Sequence, residues 1–419
     1  MSLDRGLNRP KTVFDSWQAM VTSLYLAIIG YGVLVGIPVI STAWVEQLGF
    51  TEVQVGRVAG ADLGGLSLGS LLTAMIIARF NRRVLVFGAL SICIAANALC
   101  MLTQDYGTVL VLRLIAGFGS GVYTSIAVAS LGATAKPARS LNLLLFLFAF
   151  SQAFELQVLP QLSMNGIYMV FVIANLIGLT LIGWLPQRAL AGQSAINPTD
   201  PTAEVLHLSD GAQIGEMPGP KSAAWLCLAA IAFSYVNIGA YWTYIELAAN
   251  ASPATDPVWV GNVLVWASFL SIVGCLVATV ISDRFGLARP LIVTLLVHAV
   301  IVGMLSLGIT NVNIVISLFT FNFLWIFIDV YQMATIANID RSGRFAALVP
   351  GAQGAGQIIG PNAAASIIAL GYGYDKVFLF CAAASITATC IRCWFSLSFC
   401  LQAFPMITGF AASSARFLS

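Results

Sequence analysis

Residues 188–221 read RALAGQSAINPTDPTAEVLHLSDGAQIGEMPGPK, the only long polar stretch between the two ends of the chain. Proline, glycine, serine and aspartate recur through it without a helical or strand period, which is typical of a linker. On either side lie two halves of similar length, each almost entirely apolar. The stretch therefore predicts two bundles joined by a polar linker.

The composition of the chain is that of a membrane protein. Hydrophobic residues make up 59% of the 419 residues and charged residues 9%, against roughly 45–50% and 25% in soluble proteins. A soluble globule of this size would need a charged surface, and strand alternation is absent, so we expect helices that cross a bilayer. The eight cysteines show no histidine-linked metal pattern. We therefore expect reduced thiols, no metal and no cofactor.

Apolar runs of about 20 residues, the length that crosses about 30 Å of hydrocarbon, recur along both halves. We place twelve spans near residues 18–45, 54–79, 83–103, 107–134, 139–160, 164–186, 222–248, 257–282, 288–309, 312–338, 345–370 and 375–400. The predicted organisation is an N-terminal segment 1–17, a first six-helix bundle 18–187, the linker 188–221, a second bundle 222–403 and a tail 404–419. An even number of spans puts both ends of the chain on one side.

The basic residues decide which side that is. Six clusters fall at the chain start, in alternate loops and at the linker: Arg5, Arg9 and Lys11; Arg79, Arg82 and Arg83; Lys136 and Arg139; Arg188 and Lys221; Arg284 and Arg289; Arg341 and Arg344. The opposite set of loops carries only Arg57 and Lys376. Because Lys and Arg concentrate on the cytoplasmic side, we expect a multi-pass inner-membrane protein with cytoplasmic termini and linker.

Two loops in equivalent places of the two halves are similar. Between spans 2 and 3 the chain reads ARFNRR over residues 78–83, and between spans 8 and 9 it reads SDRFG over residues 282–286. This similarity indicates two related bundles, an arrangement common in secondary transporters.

The second of these loops, followed by Arg289, is similar to the acidic-basic-glycine loop signature of the major facilitator superfamily. The first loop departs from that signature, with Ala78 in place of the acid and Asn81 in place of the glycine. Span 4 contains LRLIAGFGSG over residues 112–121, which resembles the arginine and spaced glycines of the family's fourth span. Residues 356–361, GQIIGP, resemble its exchanger signature, but that signature normally lies in span 5.

The resemblance implies an all-α membrane fold of twelve transmembrane helices in two pseudo-symmetric six-helix bundles. It also implies alternating access to a substrate site between the halves, lined by spans 1, 4, 7 and 10. The loop residues expected to act in gating are Arg79, Arg82, Arg83, Asp283, Arg284 and Gly286. The alternative for Asp283 and Arg284 is a solvated interfacial loop.

Charged residues inside spans are expensive unless they are paired or face water, and they therefore indicate function. A rise of about 1.5 Å per residue places Asp62, Arg113 and Glu155 at similar depths in the outer half of the first bundle. We expect Arg113 to pair with Asp62 or Glu155, and one of the acids to carry a proton during transport. The alternative is a static structural ion pair.

Asp329 lies halfway along span 10, and Trp325, Asp329 and Gln332 share one helix face because they are four and three residues apart. We interpret that face as a substrate-binding face; the alternative is that Trp325 packs on lipid while Asp329 bonds a neighbouring helix. The full set of expected substrate-binding residues is Tyr25, Tyr31, Asn237, Tyr241, Trp242, Glu246, Trp325, Asp329 and Gln332. His298 is expected to be a packing residue.

The sequence shows no GxxxxGK[ST] phosphate loop and no paired catalytic residues, so we expect neither an ATP-driven pump nor an enzyme. The favoured function is proton-driven efflux of an amphipathic or cationic small organic molecule. Proton-coupled uptake of a neutral or weakly acidic metabolite is the second possibility, and a receptor or sensor that binds without transport is a third. The expected partners are the substrate, protons and membrane lipid, with no nucleic acid, and the expected state is a monomer.

Overall fold

The computed structural model describes residues 12–187, 221–339, 345 and 348–414. At 137–138, 221–222, 279, 282–285, 337–339 and 395–414 it describes the backbone alone. Most of the predicted linker and the first and last residues of the chain lie outside these ranges. All regular structure in the described part is helical.

The first half contains six α-helices: α1 Trp17–Leu48, α2 Glu52–Ile76, α3 Arg82–Cys100, α4 Tyr106–Gly132, α5 Pro137–Val158 and α6 Met164–Leu181. The described part of the second half contains seven: α7 Lys221–Ala251, α8 Pro257–Ser268, α9 Leu270–Phe285, α10 Ala288–Gly303, α11 Asn311–Ile339, α12 Val349–Ala369 and α13 Tyr374–Ser414. Short 3₁₀ helices lie at Val13–Asp15, Leu159–Gln161, Ile182–Trp184 and Met304–Leu307. Every predicted span overlaps a helix or a pair of helices.

Two of the predicted spans differ from the structure in detail. The eighth span is two helices, α8 and α9, which meet at Phe269, where the helix is interrupted by a turn. The last helix, α13, continues without a break through the boundary that we predicted between the second bundle and the tail at residues 403 and 404. Eleven spans in the described chain are long and apolar enough to cross a membrane. The polar and small residues of α12 keep this helix below that threshold.

Local signals in the sequence set the helix ends. Gly49 ends α1 in the left-handed conformation, with φ of 69°, which glycine adopts without a steric penalty. Two residues later, Thr51 and Gln54 form a reciprocal capping box at the start of α2. Asp105 caps α4 by accepting a hydrogen bond from the Thr108 N–H at 2.8 Å. These turns are short and make neighbouring helices antiparallel.

Small residues let the helices of each half approach closely. A Cβ atom on Gly121 of α4 would lie 2.0 Å from the backbone oxygen of Leu66 on α2, and one on Gly65 would lie 2.2 Å from the backbone oxygen of Leu114. In the second half, a Cβ atom on Gly360 of α12 would lie 2.4 Å from the backbone oxygen of Val236 on α7. Glycine therefore permits close helix packing in both halves.

The end of the molecule where the first half stops and α7 begins is called the linker side here, and the opposite end the far side. Five helix pairs of the described chain join the two halves: α1 with α7, α2 with α12, α2 with α7, α5 with α8, and α5 with α9. Near the far side, Arg57 of α2 donates to the Asn362 side-chain oxygen at 2.9 Å and to the Ser366 hydroxyl at 2.9 Å, both on α12.

Two further hydrogen bonds cross from the second half to the first. The Trp242 indole N–H donates to the backbone oxygen of Leu34 at 3.1 Å, in the helix α1 that contains Pro38. The Tyr244 hydroxyl donates to the backbone oxygen of Glu52 at 2.8 Å. Contacts between α2 and α12 continue toward the linker side, where Ser67 faces Gly354. On α2 and α12 the contacts run from Arg57 near the far side to Leu71, which lies against Gly351 near the linker side, so the two halves meet along most of the length of these helices.

We predict that Gly121→Ala destabilises the protein, because the added methyl group meets a backbone oxygen that cannot rotate away. Overpacking of this kind costs about 1–3 kcal/mol. The matched control is Gly88→Ala in α3, where a Cβ atom meets nothing within 4 Å. Thermal unfolding of the purified protein in detergent measures the difference. Equal melting temperatures for the two variants would contradict the close approach of α2 and α4.

Candidate functional site

The first half contains a buried ion pair between α2 and α4. The Arg113 Nε donates to Asp62 Oδ2 at 2.7 Å, and a second guanidinium nitrogen, Nη2, contacts the same oxygen. The third nitrogen, Nη1, donates to the Asn97 side-chain oxygen of α3 at 2.8 Å. Asp62 and Arg113 are each 2% exposed. The guanidinium is therefore fully satisfied by the carboxylate and the amide.

The surrounding residues hold this pair in place. The Asn97 amide nitrogen donates to the Cys93 backbone oxygen at 2.8 Å, which fixes the direction of its side-chain oxygen. The Tyr168 ring of α6 lies 5.8 Å from the guanidinium carbon, and its hydroxyl accepts from the Trp44 indole at 3.1 Å. Our sequence analysis missed Asn97 and Tyr168. A lone amide in the apolar run of α3 was the one available signal for Asn97.

Glu155 does not join this pair, although its predicted depth was similar. Its side chain is 8% exposed and packs against α1, where Cβ atoms on Gly32 and Gly36 would lie 3.2 and 2.8 Å from its carboxylate oxygens. One oxygen accepts from Ser151 at 3.4 Å, and the other, Oε2, has no hydrogen-bond partner. Burying an ionised carboxylate without a partner is costly, so proton binding and side-chain exposure are coupled at this position.

The second half places its acid against α7. The Tyr235 hydroxyl donates to Asp329 Oδ2 at 2.7 Å, and Asp329 Oδ1 has no hydrogen-bond partner. One turn further along α11, the Gln332 amide nitrogen donates to the Ser234 hydroxyl at 2.9 Å and leaves its oxygen Oε1 without a partner. The sequence analysis did not single out Tyr235, which orients the carboxylate.

An aromatic cluster adjoins this acid. The Trp242 ring lies 6.0 Å from Trp325 and is parallel to Phe321 at 5.9 Å. From the first half, Tyr31 lies close enough to Asp329 and Tyr235 to interact with them electrostatically, and its ring contacts Phe148 edge-on at 5.8 Å. The predicted residues Tyr31, Trp325 and Asp329 therefore converge between the two halves.

Other predicted substrate residues lie elsewhere. Asn237 donates to the Ser385 hydroxyl at 2.7 Å and lies 3.4 Å from the ring of His298, on the opposite side of α7 from Tyr235. The Tyr241 hydroxyl bonds the Ser317 hydroxyl at 2.8 Å while its ring stacks on Phe321.

These contacts put Asn237 and Tyr241 in the interior packing of the second half. His298 is fully buried there, against the Phe321 ring at 4.9 Å. In the first half, Tyr25 donates to the backbone oxygen of Ala174 on α6 at 2.8 Å.

Glu246 lies near the far side of α7. It is 8% exposed, and its oxygen Oε2 has no hydrogen-bond partner. The carboxylate of Glu46 at the end of α1 is close enough to interact with it. The two acids belong to different halves, so like charges face each other across the joint near the far side.

The predicted gating residues of the first half are anchored within that half. Arg82 donates to the Ser130 hydroxyl at 2.9 Å and lies over the Phe14 ring at 4.7 Å. Arg83 donates to the backbone oxygen of Leu185 at 2.5 Å, and Arg79 is exposed.

In the second half, Gly286 ends α9 with φ of 67°. The side chains of Asp283 and Arg284 lie outside the described part of the structure. The gating role predicted for Asp283 and Arg284 therefore stays a prediction.

The bundle of membrane-length helices, with two halves meeting around buried acids, is the architecture of a secondary transporter. A family model of the major facilitator superfamily matches residues 20–361, and the chain belongs to this family.

Solved structures of the same fold support this assignment. A point variant of the nucleoside transporter NupG has a TM-score of 0.69 and 11% identity, over 90% of this chain and 99% of its own. NupG itself has a TM-score of 0.67 and 13% identity, over 90% and 98%. The human organic anion transporter MFSD10 (TETRAN) has a TM-score of 0.60 and 14% identity, over 89% and 97%. No curated protein matches the chain in sequence.

Replacing one member of the Asp62–Arg113 pair should be more damaging than replacing both. Asp62→Leu or Arg113→Met alone leaves a buried charge without its partner, at a cost of about 3–5 kcal/mol. The double variant removes both charges and should recover most of the melting temperature that either single variant loses. Losses that simply add in the double variant would show that the two side chains are not coupled.

Proposed function

We propose that this protein is a proton-coupled secondary transporter that exports amphipathic or cationic small organic molecules by alternating access. One observation carries the proposal. Glu155 of the first half is buried and Asp329 of the second is partly buried, and each has a buried carboxylate oxygen without a hydrogen-bond partner. In the described part of the chain, the one buried ion pair joins Asp62 to Arg113. Neither Glu155 nor Asp329 therefore forms an ion pair with a basic side chain there.

Asp329 is suited to bind substrate. Tyr235 holds one carboxylate oxygen, which leaves Oδ1 free to accept from a bound molecule. Gln332 Oε1 is a second free acceptor on the same helix face. The Trp325 and Trp242 rings add flat apolar surface beside these acceptors, and aromatic faces also attract organic cations. A molecule with a protonated amine and an apolar body would satisfy all three features.

Glu155 is suited to carry the proton. Its carboxylate lies directly on the backbone of α1 at Gly32 and Gly36, so movement of α1 changes whether this acid is buried or wet. Its proton affinity would change with that exposure. We keep Asp62 and Arg113 in the proposed proton-coupling group together with Glu155. Their ion pair is a fixed charge pair inside the same half.

The names of the structural neighbours suggest two other substrate classes. An organic anion would need a free cation, and in the described chain Arg113 is committed to Asp62 and Asn97. The free acceptors therefore disfavour this class. A nucleoside-like neutral molecule carries hydroxyl donors that could use the same acceptors. Proton-coupled uptake of a neutral or weakly acidic metabolite is accordingly the second candidate function.

The sidedness and gating of the protein are also proposals. The distribution of Lys and Arg supports an inner membrane with cytoplasmic termini, which makes the linker side the cytoplasmic side. Opening of the far side would then require the Trp242–Leu34 and Arg57–Asn362 hydrogen bonds to break. We propose that Arg79, Arg82, Arg83, Asp283, Arg284 and Gly286 form the linker-side gate of a monomeric transporter.

Reconstituted vesicles containing a pH-sensitive dye test the function. A panel of organic cations, neutral metabolites and carboxylates is added under an imposed proton gradient. Proton movement that depends on an organic cation, in exchange with it, supports the proposal. Movement in the same direction as a neutral solute supports the second candidate. Binding without flux would make the protein a receptor or sensor.

Glu155→Gln should abolish substrate-dependent proton flux, because the amide cannot release a proton. Substrate binding, measured by calorimetry on the purified protein, should be retained. The control is Asp105→Asn, an exposed acid on the far side whose helix-capping role an asparagine can also fill. Unchanged proton flux in Glu155→Gln would exclude it as the coupling acid.

Asp329→Asn should weaken binding of organic cations roughly 10-fold to 150-fold, since a hydrogen bond to a charged group contributes about 1.5–3 kcal/mol. Binding of neutral panel members should change less, because the amide oxygen still accepts. The same Asp105→Asn control applies. An equal loss of affinity for cations and neutral molecules would indicate damage to the fold instead of loss of a charge contact.

A further inference from the structure

Arg392 is a buried cation whose hydrogen bonds are incomplete. It lies on α13, is 3% exposed, and makes one hydrogen bond, from Nη1 to the Cys227 sulfur of α7 at 3.0 Å. Its Nε and Nη2 atoms are buried and have no hydrogen-bond partner. A thiol is a weak acceptor. Most of the donor capacity of this guanidinium is therefore unused.

The chain satisfies its other buried arginines much better. Among the described residues, three arginine side chains are less than a tenth exposed: Arg82, Arg113 and Arg392. Arg82 has a hydroxyl and an aromatic ring, and Arg113 has a carboxylate and an amide. No carboxylate in the described chain acts on Arg392, and Cys227 is the single titratable group that does.

A buried guanidinium without acceptors is costly, and an unsatisfied polar group of this kind in a native protein usually marks a missing water or ion. The fork of a guanidinium fits the oxygens of a phosphate group with two parallel hydrogen bonds. We propose that Arg392 binds a phosphate-type oxyanion between α13 and α7 at the linker-side end of the second half.

The position of Arg392 along its helix indicates where that anion comes from. The side chain lies 18 residues beyond the start of α13 at Tyr374, which is about 27 Å along a helix. This nearly equals the thickness of the hydrocarbon, about 30 Å, so Arg392 lies at its linker-side edge. Trp394 of α13 and Trp225 of α7 are 69% and 59% exposed. Exposed tryptophans are typical of the level of the lipid headgroups.

The ligand chemistry is therefore that of a phosphate, and a phospholipid headgroup at the linker-side surface would supply it. Basic pockets between transmembrane helices can bind anionic headgroups in this way. A free phosphate ion offers the same oxygens. This site is separate from the acids between the two halves, and it does not depend on what the protein transports.

Thermal unfolding of the purified full-length protein tests the site. The protein is placed in detergent with phosphatidylcholine alone, with added phosphatidylglycerol, or with added inorganic phosphate. Ligand that binds the folded state alone stabilises it. We expect phosphatidylglycerol to raise the melting temperature of the wild type by roughly 2–4 °C. A matching rise with inorganic phosphate would identify a soluble oxyanion as an equally good ligand.

Variants separate this site from general attraction to anionic lipid. Arg392→Met should lose the rise, and Arg392→Lys, which keeps the charge but lacks the fork, should lose part of it. Arg289→Gln removes an exposed basic residue from the first turn of α10, at the linker side of the same half, and should keep the whole rise. If Arg392→Met folds less well, native mass spectrometry of the Arg392→Lys variant gives a second measurement. This variant should then bind fewer phosphatidylglycerol molecules than the wild type.

Two results would overturn the proposal. One is a wild type that neither phosphatidylglycerol nor inorganic phosphate stabilises. The other is an Arg392→Met variant that is as stable as the wild type in phosphatidylcholine and still shows the full rise with phosphatidylglycerol. In that case Arg392 would be a buried charge with no ligand.

Discussion

An ionised side chain inside a hydrocarbon layer must find a partner, water or a proton, and this constraint organises the polar interior of the protein. The protein meets it differently at each position. Arg113 has a complete set of acceptors from α2 and α3, which makes the interior of the first half a fixed block. Glu155, packed against α1 within the first half, and Asp329 of the second half each retain an unused carboxylate oxygen. These two acids thus keep unused acceptors at the positions where we propose proton transfer and substrate binding.

The way the halves meet follows from the packing of small residues. Glycines on α4 and α12 remove side chains from the crossings with α2 and α7, so that each half packs as backbone against backbone. The contact of α2 with α12, which joins the halves, is closely packed as well: a Cβ atom on Gly60 would lie 2.2 Å from the Asn362 side chain, and one on Gly354 would lie 2.3 Å from Ser67. Hydrogen bonds and aromatic contacts add to this joint. Small residues therefore shape the helix packing both within each half and between the halves.

The sequence was sufficient to locate the helices but not to determine which face of each helix points toward which neighbour. Length and hydropathy located every span, because the thickness of a bilayer fixes both. The break at Phe269 was missed because the residues around it are apolar and include neither a Gly-Pro pair nor another breaker.

Depth along a helix put Glu155 level with Arg113, but depth says nothing of the direction in which a side chain points. The contacts of Asn237 and Tyr241 within the second half were not foreseen for the same reason, since a residue on a cavity-lining helix can face inward to its own bundle. Tyr235 and Arg57 gave no signal in the sequence, because their roles depend on partners about 94 and 305 residues away.

The hydrogen bond from Trp242 to Leu34 has its origin in a proline. In a regular helix the backbone oxygen of residue 34 would accept from the N–H of residue 38, but Pro38 has no N–H to give. The oxygen is left vacant within α1, and the indole of the other half fills the vacancy. What would be a defect in an isolated helix thus becomes an acceptor reserved for the partner bundle. The acceptor is a backbone oxygen, so it does not depend on the side chain at position 34. The contact between the halves at this point therefore depends on two residues, Trp242 as the donor and Pro38, which leaves the oxygen unpaired.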